Sequence, residues 1–381
     1  MLDPGQPIEG RRPDRFRPPH CPYRECSLHL PEGRYLCDRS GSYVRQCDPL
    51  RRVPRFRCSG CKRSFSRQSF ATSYYLKRPE LLAPVAAGLV AGSAHRQIAR
   101  SLGCAPSTVT RLSARLGRHA ILLQAEALAE LEGRVDEPFV WDHFETFVFS
   151  QNDRLGLGTA VGQRSWFVFS FDPAPHRRAG KPAARRPVLR TPLPDPVPQA
   201  VVRSTRRALS LLGRLAPQGF RLVSDDHPAY WIAVAGTRGV QHSIYPNPPR
   251  GPQHDPRVAR LRDREMFAVD LLHKLLRHSQ AHHRRETIAF GRRSNAILER
   301  TALMAVWRNF VKKVSERRSE ELTPAMRLGL TPRRWSWGDV LSRRRFPERI
   351  RLPEGWRRIY QRGWITPAVG RNLRHELRHA Y

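Results

Sequence analysis

The sequence predicts an α/β protein, a mixed sheet with helices packed on it, preceded by a small cysteine-bearing module and a pair of short helices. Three observations predict it. Between 136 and 171, three runs read as strands, P-F-V-W-D, L-G-L-G-T-A-V-G and S-W-F-V-F-S-F-D, rich in the branched and aromatic residues that favour extended backbone. A helical pattern near 201–215 then leads into a fourth apolar run, F-R-L-V-S-D. Paired cysteines and helical periodicity, rather than further long strands, occupy the region before 120.

The order of elements divides the chain into five segments. Residues 1–19 are rich in Pro and Arg and are expected to be disordered. Residues 20–76 form the cysteine module, 77–125 a helix-turn-helix, and 136–315 the sheet domain. Within that domain, 172–200 read as a Pro/Arg-rich loop. A basic, Trp-containing region covers 316–381.

Charge names the class of partner. Lys and Arg total 68 against 33 Asp and Glu, a formal net charge of +35 and a pI near 11.4. Such a surplus repels itself unless a polyanion neutralises it, which points to nucleic acid. The N-terminus lacks the charged and apolar regions of a secretory signal, and no run approaches the roughly 20 apolar residues of a membrane span. A cytoplasmic, nucleoid-associated protein without a membrane partner is expected, and in that compartment close cysteines are metal ligands more often than disulfides.

Cys21-x4-Cys26 and Cys58-x2-Cys61 make two such pairs. Four soft ligands on two tight turns suit tetrahedral Zn²⁺, and Ser59-Gly60 permits the second turn. So little apolar material lies in this segment that the metal is expected to be structural. Cys37 and Cys47 lack a close partner and are read as bystanders, one of which could substitute as a ligand; His20 is an outside candidate.

H-R-Q-I-A-R-S-L-G-C-A-P-S-T-V-T-R-L-S-A-R-L-G reads as two helices around a turn at Gly103. Ile98 and Leu102 share a face of the first; Val109, Leu112 and Leu116 share a face of the second. Pro106 fits the first turn, where a missing N–H costs nothing. Ser107, Thr108 and Arg111 then point outward at the end that enters a major groove. Cys104 in the turn reads as a small buried filler.

Acidic residues are scarce, so their placement matters. Asp142 and Asp225 each end an apolar run, and Glu299 lies within the helical pattern N-A-I-L-E-R-T-A-L-M-A-V-W. In a ribonuclease-H-like sheet, two strand-end aspartates and a helix carboxylate hold two Mg²⁺ (or Mn²⁺) about 4 Å apart, which activates a water or 3′-hydroxyl and stabilises the leaving oxygen. Asp226 would point to the opposite side of its strand from Asp225. For the third position Glu286 competes with Glu299, and Glu145 is another nearby carboxylate. Residues 262–285 read as one strongly basic helix with His282 and His283 on DNA or in solvent. Trp307, Trp335, Trp337 and Trp356 read as packing residues.

These stretches resemble bacterial insertion-sequence transposases of the DDE, ribonuclease-H-like type, which carry an N-terminal zinc ribbon and helix-turn-helix. The resemblance is carried by H-C-P-Y-R-E-C with R-F-R-C-S-G-C-K-R-S-F-S, the helix-turn-helix segment, W-D-H-F-E-T-F, V-S-D-D-H-P-A-Y and R-R-S-N-A-I-L-E-R-T-A-L-M-A-V-W-R-N-F, over about 20 to 315. It implies that Asp142, Asp225 and Glu299 form the metal triad. It also implies that the ribbon and helix-turn-helix read double-stranded terminal inverted repeats, with target DNA and a homo-oligomer as further partners. Two rival readings are a transposase-derived DNA-binding regulator without chemistry and a structure-specific nuclease.

Overall fold

The computed structural model describes residues 16–31, 35–45, 51–177, 198–248, 255–317 and 319–366. Cys47, most of the expected N-terminal tail, most of the 172–200 loop and the last 15 residues lie outside these. The described residues form two compact units, one up to Pro79 together with Ser342–Arg344, the other over Glu80–Leu341 and from Arg345 on.

The first unit is built on a three-stranded antiparallel sheet, β1 (Cys37–Arg45), β2 (Arg51–Cys58) and β3 (Ser64–Ser66), in that order. Phe56 on β2 stands opposite Phe65 on β3, and both rings pack with neighbours. Phe16 and Phe70 close over this pair, so one aromatic cluster and the four cysteines make up most of its interior. A core this small is marginal without a cross-link or metal.

The second unit contains a five-stranded mixed sheet. Its strands are β4 (Phe139–Val148), β5 (Ser150–Gly162), β6 (Val168–Arg177), β7 (Phe220–Ser224) and β8 (Val240–Ile244), in the order β6-β5-β4-β7-β8. The first three pair antiparallel; β7 joins β4, and β8 joins β7, in parallel. The α/β class and mixed sheet expected from the sequence are present, with one difference. β4 continues six residues past Asp142, so this aspartate lies inside its strand rather than at its end. What ends beside it is β7, whose last residue is Ser224.

Helices cover the sheet. α1 (Leu82–Val90) and α2 (His95–Ser101) lead into the 25-residue α3 (Pro106–Glu130), with Pro106 in its first turn. Ile98, Val109, Leu112 and Leu116 are buried as their spacing requires, and Gly103 takes the left-handed φ of +56° that the turn needs. α3 continues well past Leu116 and packs along α8 (Ser294–Val306). Gly117 makes this approach possible, because a Cβ there would collide with the side chain and backbone of Glu299.

α4 (Pro198–Leu215) lies on β5 and β6, held by the buried Asp172–Arg207 ion pair. α5 (Pro228–Val234) packs on α4. The basic stretch expected as one helix is two, α6 (Pro256–Glu265) and α7 (Phe267–Ser279), and α7 packs on β4 and β5. His282 and His283 follow in a short 3-10 turn and are buried, not in solvent. His283 Nδ1 lies 3.0 Å from Thr146 Oγ1 and its ring meets Phe144 edge-on, so the apolar environment of β4 claims it. Trp356 stacks on Phe171 and Trp335 on Phe310, while Trp307 and Trp337 are half-buried.

Candidate functional site

The register of β4 on β7 determines where the two aspartates meet. Phe139 pairs with Leu222 and Val140 with Val223. Two residues past that last pair come Asp142, still inside β4, and Asp225, just past the end of β7, and the charge of Asp225 acts on Asp142. The chain turns after Ser224 and leaves Asp225 half-exposed, its Oδ1 accepting from His227 N at 3.2 Å and its Oδ2 from Asn247 Nδ2 at 3.3 Å. Asp226 is exposed.

Asp142 is more enclosed. Burial, and next the negative charge of Asp225, push its carboxyl up to about 7, with Asp270 adding in the same direction. Hydrogen bonds oppose this: His143 N donates to Oδ1 at 2.7 Å and Tyr230 Oη donates to the same oxygen at 3.2 Å. A carboxylate held beside others in a dry setting favours either a proton or a cation.

Tyr230 links the two aspartate segments. It lies on α5, directly after the Asp225 turn, and His227 caps that helix by accepting from Ala229 N at 3.2 Å. The Tyr230 ring stacks on His143 at 5.6 Å, with its hydroxyl 2.9 Å from His143 Nδ1; His143 Nε2 is 2.6 Å from Ser204 Oγ on α4. Gly158 on β5 stands opposite His143, and a Cβ there would strike Trp141 and His143. The glycine thus makes room for this side-chain layer under α4.

On the other side of Asp142 stands α7. His273 Nδ1 is 3.6 Å from Asp142 Oδ2, and its Nε2 is 2.9 Å from Thr159 Oγ1. Burial, then Arg277 and Arg262, hold the imidazole down to about 3, so it is neutral. The Thr159 hydroxyl donates to the Asp142 carbonyl at 3.1 Å, leaving its oxygen to accept from His273 Nε2–H. Nδ1 then carries no proton and offers a lone pair toward Asp142 Oδ2. Asp270 lies one turn before His273 on the same helix face and is paired with Arg262.

Glu299 occupies a different setting. It is fully buried on α8 where Gly117 of α3 meets it, and Arg362 Nε lies 2.9 Å from its Oε1. Burial pushes its carboxyl up to about 7 against the pull of Arg362, Arg118 and Arg300. The charges felt by Glu299 are therefore cationic, whereas those felt by Asp142 are Asp225 and Asp270. Glu286 is exposed in an irregular segment, and the Glu145 carbonyl accepts from Arg277 Nη2 at 3.4 Å.

Sequence reasoning passed over Asp270, His273 and His143. The first two were visible as a D-x-x-H at helical spacing in F-A-V-D-L-L-H-K-L-L, but only packing shows that this face meets the sheet.

The cysteines form a second centre, in the first unit. The Sγ atoms of Cys21, Cys26, Cys58 and Cys61 all lie within 4.8 Å of one another, with Cys21–Cys61 at 3.8 Å and Cys26–Cys58 at 3.7 Å. Four soft ligands at that spacing could hold a metal ion. Burial raises the Cys21 thiol; Cys58 is also raised by burial, but the Tyr35 hydroxyl and the amides of Cys61 and Gly60 outweigh it and bring it down to about 6. A thiolate stabilised this way is the ligand form. Cys37 faces Cys58 across the β1–β2 ladder but is not among the four, and His20 Nδ1 lies 2.9 Å from the Cys21 carbonyl instead. Among the described residues no other group of His, Cys, Asp or Glu closes to this spacing.

At the start of α3, Ser107 and Arg111 are exposed and Thr108 is half-buried. No helix among the described residues is long and apolar enough to cross a membrane.

No family model matches the chain, and no curated protein does. One similar solved structure is the cryoEM structure of simian T-cell lymphotropic virus intasome in complex with PP2A regulatory subunit B56 gamma. It is 12% identical, with a TM-score of 0.24, over 71% of this chain and 76% of that one.

Proposed function

We propose that the chain is a DNA transposase with a ribonuclease-H-like catalytic unit. The observation that carries the reading is the setting of buried Asp142, which feels the charges of Asp225, just past β7, and of Asp270 on α7, with His273 Nδ1 of the same helix 3.6 Å from its Oδ2. Hard oxygen donors in a partly dry pocket fit Mg²⁺ or Mn²⁺. Bound there, the ions would supply an activated water or 3′-hydroxyl and stabilise the leaving 3′-oxygen as the P–O bond breaks. In this reading Asp142 and Asp225 would be ligands, and Asp270 would be the third carboxylate in preference to Glu299, because the charge of Asp270 and not that of Glu299 is felt at Asp142. Tyr230 and His143 orient Asp142; His273 holds the opposite side.

The four cysteines hold a structural Zn²⁺, in a ribbon that, with Ser107, Thr108 and Arg111 on α3, reads duplex DNA at the element's terminal inverted repeats. The net charge of +35 supports a phosphate-binding surface. A homo-oligomer pairs the ends and captures target DNA.

Cleavage of duplexes carrying the sequences that flank the gene, with and without Mg²⁺, tests this. The parent should cut and the Asp142→Ala and Asp225→Ala proteins should not; equal cutting by all three would sink the enzyme reading. The Arg262–Asp270 pair favours a second reading, a transposase-derived regulator that binds DNA with its third carboxylate neutralised. That protein would bind the flanking sequences at parental affinity and release no cut strand at any Mg²⁺ concentration.

A further inference from the structure

The first unit contains a groove that the metal does not explain. Its volume is about 540 Å³, within the range of small-molecule sites, and it is lined by Tyr43, Arg45, Arg55, Ser66, Tyr74 and Tyr75 among others. Among the described residues no acidic one lines it. Tyr43 on β1 reaches toward Ser66 on β3, their oxygens 3.5 Å apart, and exposed Arg55 on the intervening β2 stands opposite Ser66. The segment Tyr74–Leu76 forms the other wall, fixed by Arg45 Nη2 donating to the Leu76 carbonyl at 2.8 Å.

The two tyrosines of that wall meet edge to face at 4.5 Å, and the Arg344 guanidinium covers the Tyr74 ring at 4.8 Å. Tyr75 is 63% exposed and its φ is +59°, a left-handed conformation that a bulky residue adopts only at a cost. The strain is spent holding an aromatic ring toward water. Aromatic faces, guanidinium groups and hydroxyl donors around a cavity whose described lining holds no carboxylate match one ligand chemistry. A planar base stacks on the rings and a phosphate meets the arginines.

We propose that this groove takes an unpaired nucleotide of DNA, a base that has left its duplex partner at a frayed or overhanging end. The inference rests on the DNA-binding part of the proposed function but not on its chemistry. Stacking on aromatic side chains is sequence-tolerant, so the groove recognises the unpaired state and not a base identity.

The test measures binding of the zinc-loaded full chain to two probes. One is a duplex with a 2-aminopurine in a short 3′ overhang, the other the same duplex blunt-ended. The parent should bind the overhang more tightly and quench the 2-aminopurine emission. Tyr75→Gly is the informative variant, because glycine accepts the left-handed φ without strain and the unit should fold at least as well. It should weaken overhang binding about ten-fold, the scale of one lost base stack, and abolish quenching while leaving blunt-duplex affinity unchanged. Tyr75→Phe, which keeps the ring, should restore both. Equal affinity for the two probes in the parent, or equal losses for both in Tyr75→Gly, would overturn the proposal. Metal-dependent cleavage is scored on the same samples: quenching without cutting would retain the groove and remove the enzyme, and cutting without quenching the reverse.

Discussion

Asp142 stands where opposing influences meet: burial, Asp225 and Asp270 raise its carboxyl to about 7, while the His143 amide and Tyr230 pull it down. A cation relieves all of the raising influences at once, so removing any carboxylate of the cluster should be costly. Asp270→Asn is expected to lower Mg²⁺-dependent cleavage at least about a thousand-fold, the several kcal/mol that a bound metal supplies. Glu299→Gln is expected to cut at close to the parental rate; measuring both rates decides which residue is the third carboxylate. Tyr230→Phe keeps the ring stacked on His143 and removes only the hydroxyl that donates to Asp142. It should raise the Mg²⁺ concentration for half-maximal cleavage about ten-fold or more, as loss of a group that orients a ligand does. An unchanged Mg²⁺ titration would remove Tyr230 from that role. Glu299 has a separate signature in stability. Its folded-state carboxyl is raised from an ordinary 4.5 to about 7, so its contribution is present in full below 4.5 and lost as the pH rises through 7. The parent should therefore lose thermal stability between pH 5 and 8 more steeply than Glu299→Gln, and matching pH profiles would contradict this account.

At the scale of elements, contact between helices depends on residues too small to announce themselves. Gly117 lets α3 reach the backbone of α8, and Gly158 lets Trp141 and His143 sit beneath α4. Gly117→Ala should destabilise the second unit by about 1–3 kcal/mol through overpacking, read as a lower denaturation midpoint, because backbone atoms of α8 cannot rotate away. The same contact explains which parts of the fold could be read in advance. Strand runs such as F-V-W-D-H-F and the knuckles Cys21-x4-Cys26 and Cys58-x2-Cys61 declare themselves by local composition and spacing, and the structure brings the four sulfurs together. Periodicity also placed Glu299 on a helix, which is α8. What it could not say was which element Glu299 packs against, and that is α3. Asp270 is the converse case. The sequence ran α6 and α7 into one basic helix, and a break at Met266 turns α7 onto β4 and β5. His282 and His283 look solvated in a string of arginines, yet the turn after α7 folds them under β4. Tertiary partners decide such cases, and a single sequence does not name them.

For the whole molecule, the division into two units separates two kinds of stability. The unit over Glu80–Leu341 buries a five-stranded sheet between helices, with Phe139, Trp141, Phe144, Phe167 and Phe169 all inaccessible. An interior of that extent does not need a metal. The first unit closes over a few phenylalanines and four cysteines, and a cation bound by them would contribute most of its folding free energy. A chelator strong enough to strip Zn²⁺ should therefore unfold the first unit alone. Calorimetry should show a transition that disappears on chelation and returns with Zn²⁺, beside a second transition that does not move. Cys58→Ser should reproduce the chelated trace without chelator, since it removes a sulfur that the Tyr35 hydroxyl and two backbone amides favour as thiolate. Catalysis and recognition would then come apart in one experiment. The stripped protein keeps Asp142, Asp225 and Asp270 in a folded sheet unit, so it should still nick DNA when Mg²⁺ is restored under conditions that keep Zn²⁺ out. It should do so without preference for the element's ends. End-specific cutting that survives loss of the first transition would mean that α3 and its neighbours in the second unit read the ends unaided.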